Sequence, residues 1–390
     1  MLDTCKKQKV DDSRLSKMLE LIACVRIGGI SRNECLITFD SEYSWSDLYK
    51  LSAQQGVLAM VYDVVKNLPN ECQPPRNIKL QWALSAANIE RRYRKQEVLT
   101  KDLARIYGDN DIKTIVLKGL AISGYYPIPE HREFGDMDCF LVKSDSLQQG
   151  DALAINTDGL PISCYNKGNE IAAKIGAKVD TGFYKHSHIV YKGLMVENHA
   201  FCTAIRGSRN RKALERHLQH LLVTKPSTPI DDKHLLCPCA DFNVLFLTAH
   251  SFGHFLTEGI KLRHVLDWAL LLNAEQNNVD WNSFYDWCDR MHYTKFVDAL
   301  TAFSTKYLGL TITNDAIRQH SNLTDKMLYD IMNSGHFICK PNTSKFRKRL
   351  KIIGNRLLGG WKYRELYEKS AIIDTIQMVW AFVVERKPKL

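Results

Sequence analysis

IVLKGLAISGYYPIPEHREFGDMDCFLV, residues 115–142, is the stretch that decides the fold. It reads as strand, glycine turn, short helix, loop, strand. Ile115, Val116 and Leu117 form an apolar β-type run that Lys118-Gly119 breaks. Leu120 to Tyr126 leaves room for a helical turn or two before Pro127 and Pro129 stop it. A second strand starts at about Asp136 and continues through Cys139, Phe140, Leu141 and Val142. Strand side chains alternate faces, so Asp136 and Asp138, flanking Met137, point the same way. Parallel carboxylates repel unless a cation lies between them. Oxygen ligands at this spacing suit Mg²⁺, which usually takes one or two carboxylates plus substrate phosphates.

Working downstream, residues 183–191 alternate as a strand. Phe183, Lys185, Ser187 and Ile189 fall on one face, and Tyr184, His186, His188 and Val190 on the other. Lys192-Gly193 makes a hairpin-like turn, and residues 194–199 return with Glu197 and His199 on a shared face. From about Arg206 the pattern is helical again, over 212–223, 241–257, 259–272, 281–291, 296–308 and 325–332. Residues 144–154 read as a helix, 156–159 as a turn and 335–343 as a linker, while 162–180 stay ambiguous. Upstream, residues 11–105 are helical. Their last helix runs from about Asn77 to Tyr107, with Leu80, Leu84, Ala87, Ile89, Tyr93, Val98, Leu99 and Leu103 as its apolar positions. The expected organisation is a helical region 1–110, an α/β core 111–205, a helical domain 206–335 and a basic helical tail 336–390.

The 390 residues are 45% hydrophobic and 25% charged, the composition of an ordinary soluble globular protein with room for two or three domains. The polar start MLDTCKKQKVDDS is no signal peptide, and no apolar run reaches the roughly 18 residues of a membrane helix. Eleven irregularly spaced cysteines then read as reduced thiols in a cytoplasm. The formal charge is +10, and it is uneven: from Lys340 onward thirteen Lys/Arg face four Asp/Glu. Phe346, Leu350, Ile353 and Leu357 make an apolar stripe there, with Lys345, Arg347, Lys348, Arg349, Lys351 and Arg356 around it. Such a helix has three destinations: an anionic membrane, RNA, or the protein body with its charges solvated. Few aromatics interleave with the basic residues, which argues against a base-stacking platform.

The central stretch resembles the nucleotidyltransferase superfamily that includes DNA polymerase beta. It is more similar to the family of uncharacterised bacterial nucleotidyltransferases. The features that carry this are Leu117-Lys118-Gly119, Tyr126-Pro127, Arg132, Asp136-Met137-Asp138, Val196-Glu197-Asn198-His199 and the helical segment 250–267. The polymerase-like pattern has Gly-Ser or Gly-Gly where this chain has Lys118-Gly119. The resemblance implies an α+β fold, with a small mixed sheet and helices flanked by helical regions. It implies transfer of a nucleoside monophosphate from an NTP such as ATP to an acceptor hydroxyl, with release of pyrophosphate. It also implies two Mg²⁺ (or Mn²⁺) ions on Asp136 and Asp138, with Glu197 as the third acid. Lys118, Gly119 and Arg132 are expected at the phosphates, and His188 and His199 at substrate. Protein, RNA, sugar or small molecule all stay open as acceptor.

Blander readings stand beside these. The acids fit a solvated sheet edge, Lys118 a plain surface turn, and Arg132 a salt bridge to Glu130 or Glu133. His199 fits a structural hydrogen bond, and His186 and His188 fit satisfied surface positions as well as a cleft. His250 and His254, four apart, could bind zinc with Cys237 or Cys239. However, no Glu follows His250, and Cys-x-Cys is not a zinc spacing, so packing or a cleft position is expected. Arg263 and Asp267 read as a helix salt bridge. The alternative function is a non-catalytic nucleotide- or RNA-binding module that grips with the basic tail.

Overall fold

The computed structural model describes residues 12–27, 44–144, 164–230, 233–333 and 345–384. The N-terminal helices are α1 (Asp12–Cys24), α2 (Trp45–Gln55), α3 (Leu58–Val65) and the 33-residue α4 (Arg76–Gly108). Then come β1 (Ile112–Val116), the single turn α5 (Leu120–Ser123), a 3₁₀ turn (Pro129–His131) and β2 (Met137–Lys143). The strand–turn–helix–loop–strand reading of residues 115–142 therefore holds. Gly119 sits at φ +70°, ψ −110°, where a Cβ is strained, so the tight turn after β1 requires glycine.

After α6 (Tyr165–Lys174) the chain adds β3 (Lys178–Asp180), β4 (His186–Tyr191) and β5 (Leu194–His199). It crosses α7 (Arg209–Thr224) and returns as β6 (Thr228–Pro229) and β7 (Leu235–Cys237). Five helices follow: α8 (Ala240–Thr257), α9 (Leu262–Glu275), α10 (Trp281–Met291), α11 (Thr294–Leu308) and α12 (Thr324–Asn333). The C-terminal part is α13 (Lys345–Leu358), a π-helical turn (Lys362–Tyr367) and α14 (Ala371–Val384). The expected helix over 144–154, the turn at 156–159 and the linker at 335–343 lie wholly or almost wholly outside the described residues.

The strands form one mixed sheet in the order β3-β4-β5-β2-β1-β7-β6. β2 is its middle strand, antiparallel to β1 and parallel to β5. Alternation along β2 feeds two cores. Met137, Cys139 and Leu141 pack with Leu103, Tyr107, Ile171 and Ala172. Phe140 and Val142 join the larger core containing Phe242, Phe246 and Phe255 of α8. Asp138 shares the face of Phe140, so the sheet presents it toward the helical half of the molecule.

Three expectations need correcting. The chain is not purely helical beyond Arg206, because β6 and β7 return to the sheet, with β7 parallel to β1. These strands are too short to show a period of two. The buried face of α4 is only partly the one expected: Ile89, Tyr93 and Leu103 go inside, but Leu80, Leu84 and Val98 are exposed, and Trp82, Ala86, Thr100, Ala104 and Tyr107 are buried instead. Finally, the strand expected from residue 183 starts at His186.

Candidate functional site

The site is built from strand register. Asp138 on β2 lies opposite Glu197 on β5, and Glu197 lies opposite His188 on β4. Two residue pairs further along, His199 lies opposite His186. Two carboxylates and three imidazoles therefore tile one face of three adjacent strands. Asp136 is half-buried just before β2 begins. The solvated-edge reading fails: Asp138 is 1% exposed on the middle strand.

Asp138 is caged. Its Oδ2 is 3.1 Å from Lys118 Nζ, and its Oδ1 is 3.1 Å from His199 Nε2. Burial pushes its carboxyl up, but Lys118 and His199 more than offset this and hold it below the usual range. Asp136 goes the other way, raised by burial and by the Asp138 charge. Burial pushes Glu197 up, but the hydrogen bond from His199 and the charges of His186 and His199 together hold it below the ordinary value. Burial lowers Lys118, and Asp138 and Asp136 raise it to a net value above that of an ordinary lysine. Lys118 is thus a counterion on the acid pair rather than the surface residue of a plain turn.

His199 is fully inside. Its Nδ1 is 2.9 Å from the Phe201 carbonyl, while Nε2 faces Asp138 and, at 3.5 Å, Glu197 Oε2. Both ring nitrogens face oxygen acceptors, so both carry protons. Burial disfavours that imidazolium, yet the carboxylates raise its pKa above 6.5. His186 is also buried, but burial and the neighbouring His199 lower it to about 4, leaving it neutral. His188 is half-exposed beside Glu197.

Arg132 does not pair with Glu130 or Glu133. It is buried and donates from Nε and Nη2 to Asp267 Oδ1 and Oδ2 of α9, at 2.9 and 2.8 Å. The buried Tyr126 hydroxyl donates to the same carboxylate at 2.7 Å. The expected Arg263–Asp267 helix pair is therefore also corrected: Asp267 turns to Arg132. Arg263 donates instead to the Glu133 carbonyl, and its Nε has no hydrogen-bond partner. Burial and the nearby Arg132 lower its pKa. A bidentate Arg132 with a buried hydroxyl behind it outcompetes an i,i+4 pair along α9 for the buried Asp267.

A cleft opens where the sheet face meets α8 and α9. Lys118, Asp136, Arg132, Arg263, His250 and His264 are among its lining residues. Burial drives His250 and His264 well below 6.5, with Lys118 opposing charge on the first and Arg263 on the second. Both are neutral cleft residues. Among the described residues, no metal-competent group contains His250, His254, Cys237 or Cys239. Two such groups exist, Asp138–Glu197–His199 and His186–His188–Glu197.

The model of a family described as an uncharacterised nucleotidyltransferase matches residues 41–309. The chain belongs to this nucleotidyltransferase family. No curated protein and no solved structure matches it. The span matched in this nucleotidyltransferase runs from before α2 to the end of α11, so it contains every residue of the cleft and all seven strands.

Sequence reasoning missed two members of the site. Arg263 was hidden by its i,i+4 partner, although a buried Asp267 inside the apolar run VLDWALLL signals a distant cation. Lys185 was set on the face away from His186. It lies just before β4, where alternation does not apply, and its carbonyl accepts from Ala200 and Phe201. Burial lowers its pKa, with the Asp138 charge opposing.

Proposed function

We propose that this nucleotidyltransferase moves a nucleoside monophosphate from an NTP to an acceptor hydroxyl and releases pyrophosphate. The observation that carries the reading is the Asp136–Asp138 pair, beside Glu197, opening onto a cleft lined by Lys118 and Arg263. It fits a member of the polymerase-beta-like superfamily and a divalent-metal chemistry. The donor set supports such an ion: Asp138 already draws in Lys118 as a counterion, and Asp136 is raised by its neighbour's charge. Asp136, Asp138 and Glu197 would hold Mg²⁺ or Mn²⁺, which would neutralise charge building on the transferring phosphoryl group.

The chain's own groups do the rest. Lys118 and Arg263 bind triphosphate oxygens, with Gly119 letting the backbone come close. Arg132 acts by fixing the cleft wall through Asp267, not by touching phosphate. His199 holds its proton between Asp138 and Glu197 and so orients both carboxylates. Glu197 receives the acceptor hydroxyl proton as the oxygen attacks the α-phosphate. The region that carries this chemistry spans the sheet to Cys237 and the cleft walls α8 and α9.

Calorimetry with each of the four NTPs tests the reading, with and without Mg²⁺, on wild type and on the Asp136→Asn/Asp138→Asn variant. Metal-dependent binding that the double substitution abolishes supports it and names the base. Absence of any NTP binding shifts the weight to a non-catalytic scaffold.

A further inference from the structure

We propose that His186, His188 and Glu197 form a binding site for a transition-metal ion of the zinc class, which uses neither Asp136 nor Asp138 but competes with that pair for Glu197. The juxtaposition comes from the sheet. His186 and His188 lie two apart on β4, on the same face, and Glu197 on β5 is the cross-strand partner of His188. One donor atom from each of the three lies within 4.8 Å of the others.

The contacts among them are not good hydrogen bonds. His186 Nε2 is 3.4 Å from Glu197 Oε2, and His188 Nε2 is 3.6 Å from Oε1. Hydrogen bonds from nitrogen to carboxylate run at about 2.7–3.2 Å. Two ligands on one tetrahedral ion with bonds of about 2.0–2.1 Å are separated by roughly 3.3–3.4 Å. The 3.4 and 3.6 Å spacings, one to each Glu197 oxygen, are too long for good hydrogen bonds and leave room for an ion between the imidazoles and the carboxylate. His186 supplies a second observation. It is 7% exposed, and its Nδ1 is buried without a hydrogen-bond partner. On the other side of the same buried ring, the Nε2 contact to Glu197 is loose, and an ion there would replace it with a ligand bond.

The donor chemistry selects the ion. Two imidazoles and one carboxylate suit zinc and its first-row neighbours, whereas Mg²⁺ prefers oxygen. Three protein ligands leave a fourth position open, as in catalytic rather than structural zinc sites. The opening is on the His188 side, where the imidazole is half-exposed. The neighbouring strand completes the surroundings: His199 stacks on His186 with ring centroids 5.0 Å apart.

The assignment shares Glu197 with the transferase reading but is tested apart from it, by metal binding with no nucleotide present. The full chain, stripped with a chelator, is titrated with Co²⁺ and followed by visible absorption. The expected result is the intense band of four- or five-coordinate Co²⁺, saturating at one equivalent and displaced by Zn²⁺. His188→Ala, at a half-exposed position that does not threaten folding, should weaken binding by more than about tenfold. Asp138→Asn, which disables the other metal-competent group, should leave the band in place. A weak six-coordinate spectrum in the wild type overturns the proposal. So does a band that survives in the His186→Ala/His188→Ala variant, or one that disappears with Asp138→Asn.

Discussion

Arg132 and Asp267, 135 residues apart in sequence, meet in a buried bidentate pair. It ties the loop before the acid pair to α9, and Tyr126 adds a third hydrogen bond to the same carboxylate. Removing one partner strands the other charge in the interior. Asp267→Ala should therefore cost about 3–5 kcal/mol, read as a fall in the urea midpoint. Tyr126→Phe should cost only about 1 kcal/mol. The combined Arg132→Met/Asp267→Leu variant should lose far less than the two single losses added together, because no orphan charge remains. Near-additive losses would mean that the pair is not the coupled unit described.

Arg263 should behave in the opposite way. No carboxylate lies within salt-bridge distance of it among the described residues, and it lines the cleft opposite Lys118. Arg263→Ala gives up one hydrogen bond to a carbonyl, at about 1 kcal/mol of stability. Its effect on triphosphate affinity should be larger, about 10–100-fold weaker, or roughly 1.4–2.7 kcal/mol. Calorimetry and urea melts on the same sample separate the two numbers. A variant that unfolds easily but binds NTP normally would return Arg263 to a structural role.

The His199 imidazolium makes stability depend on pH. Its folded pKa is raised above 6.5 because the hydrogen bonds to Asp138 and Glu197 overcome burial. The stability it contributes is complete below about pH 6.5 and is lost as pH rises through the folded value. Asp138, depressed in the fold, contributes above about pH 4 and loses that as pH falls toward its own folded value. Lys185 and His186 also face this ring, both lowered by burial, and His186 contributes a slope opposite to that of His199. The lowered His186, His250 and His264 give the opposite slope, so the His199 term is read as a difference: His199→Gln should lower the melting temperature of the metal-free protein more at pH 6 than at pH 8. An unchanged pH slope in the variant would sink the argument.

How far the sequence reveals this site depends on the range of each interaction. Asp136, Asp138, Lys118, Gly119, Glu197 and His199 were legible because turn and strand periodicities are local, and a family resemblance joined the two strands. That His188 sits across from Glu197, and His186 across from His199, followed only once the hairpin register was known. The Arg132–Asp267 pair spans the whole α/β core, so nothing in either neighbourhood announced it. The face of α4 was misread because several apolar stripes compete on a 33-residue helix, and the partner surface decides between them. β6 and β7 escaped because two- and three-residue strands carry no period.

The basic C-terminal segment was expected as a tail, and its helix falls at Lys345–Leu358 as read. It is nevertheless built into the body. Leu357 of the expected apolar stripe is 48% exposed, while Arg356 turns inward to a buried pair with Asp374 of α14. Lys362 Nζ, also buried, reaches the Phe255 carbonyl and Asp330, each at 2.7 Å. Tyr363, Leu366 and Tyr367 belong to the main core, where Tyr367 meets Phe252 edge-on at 5.1 Å. A segment held to the body by the buried Lys362–Asp330 pair and three core side chains, and braced within itself by Arg356–Asp374, is not a detachable nucleic-acid grip. Lys362→Ala should cost about 3–5 kcal/mol by leaving Asp330 buried and unpaired. Deleting residues 345–390 should lower the melting temperature by far more than any single surface change, because it uncovers Phe252 and Phe255. If the truncated chain melts like the full one, the segment is an appendage after all, and the binding-module reading regains its footing.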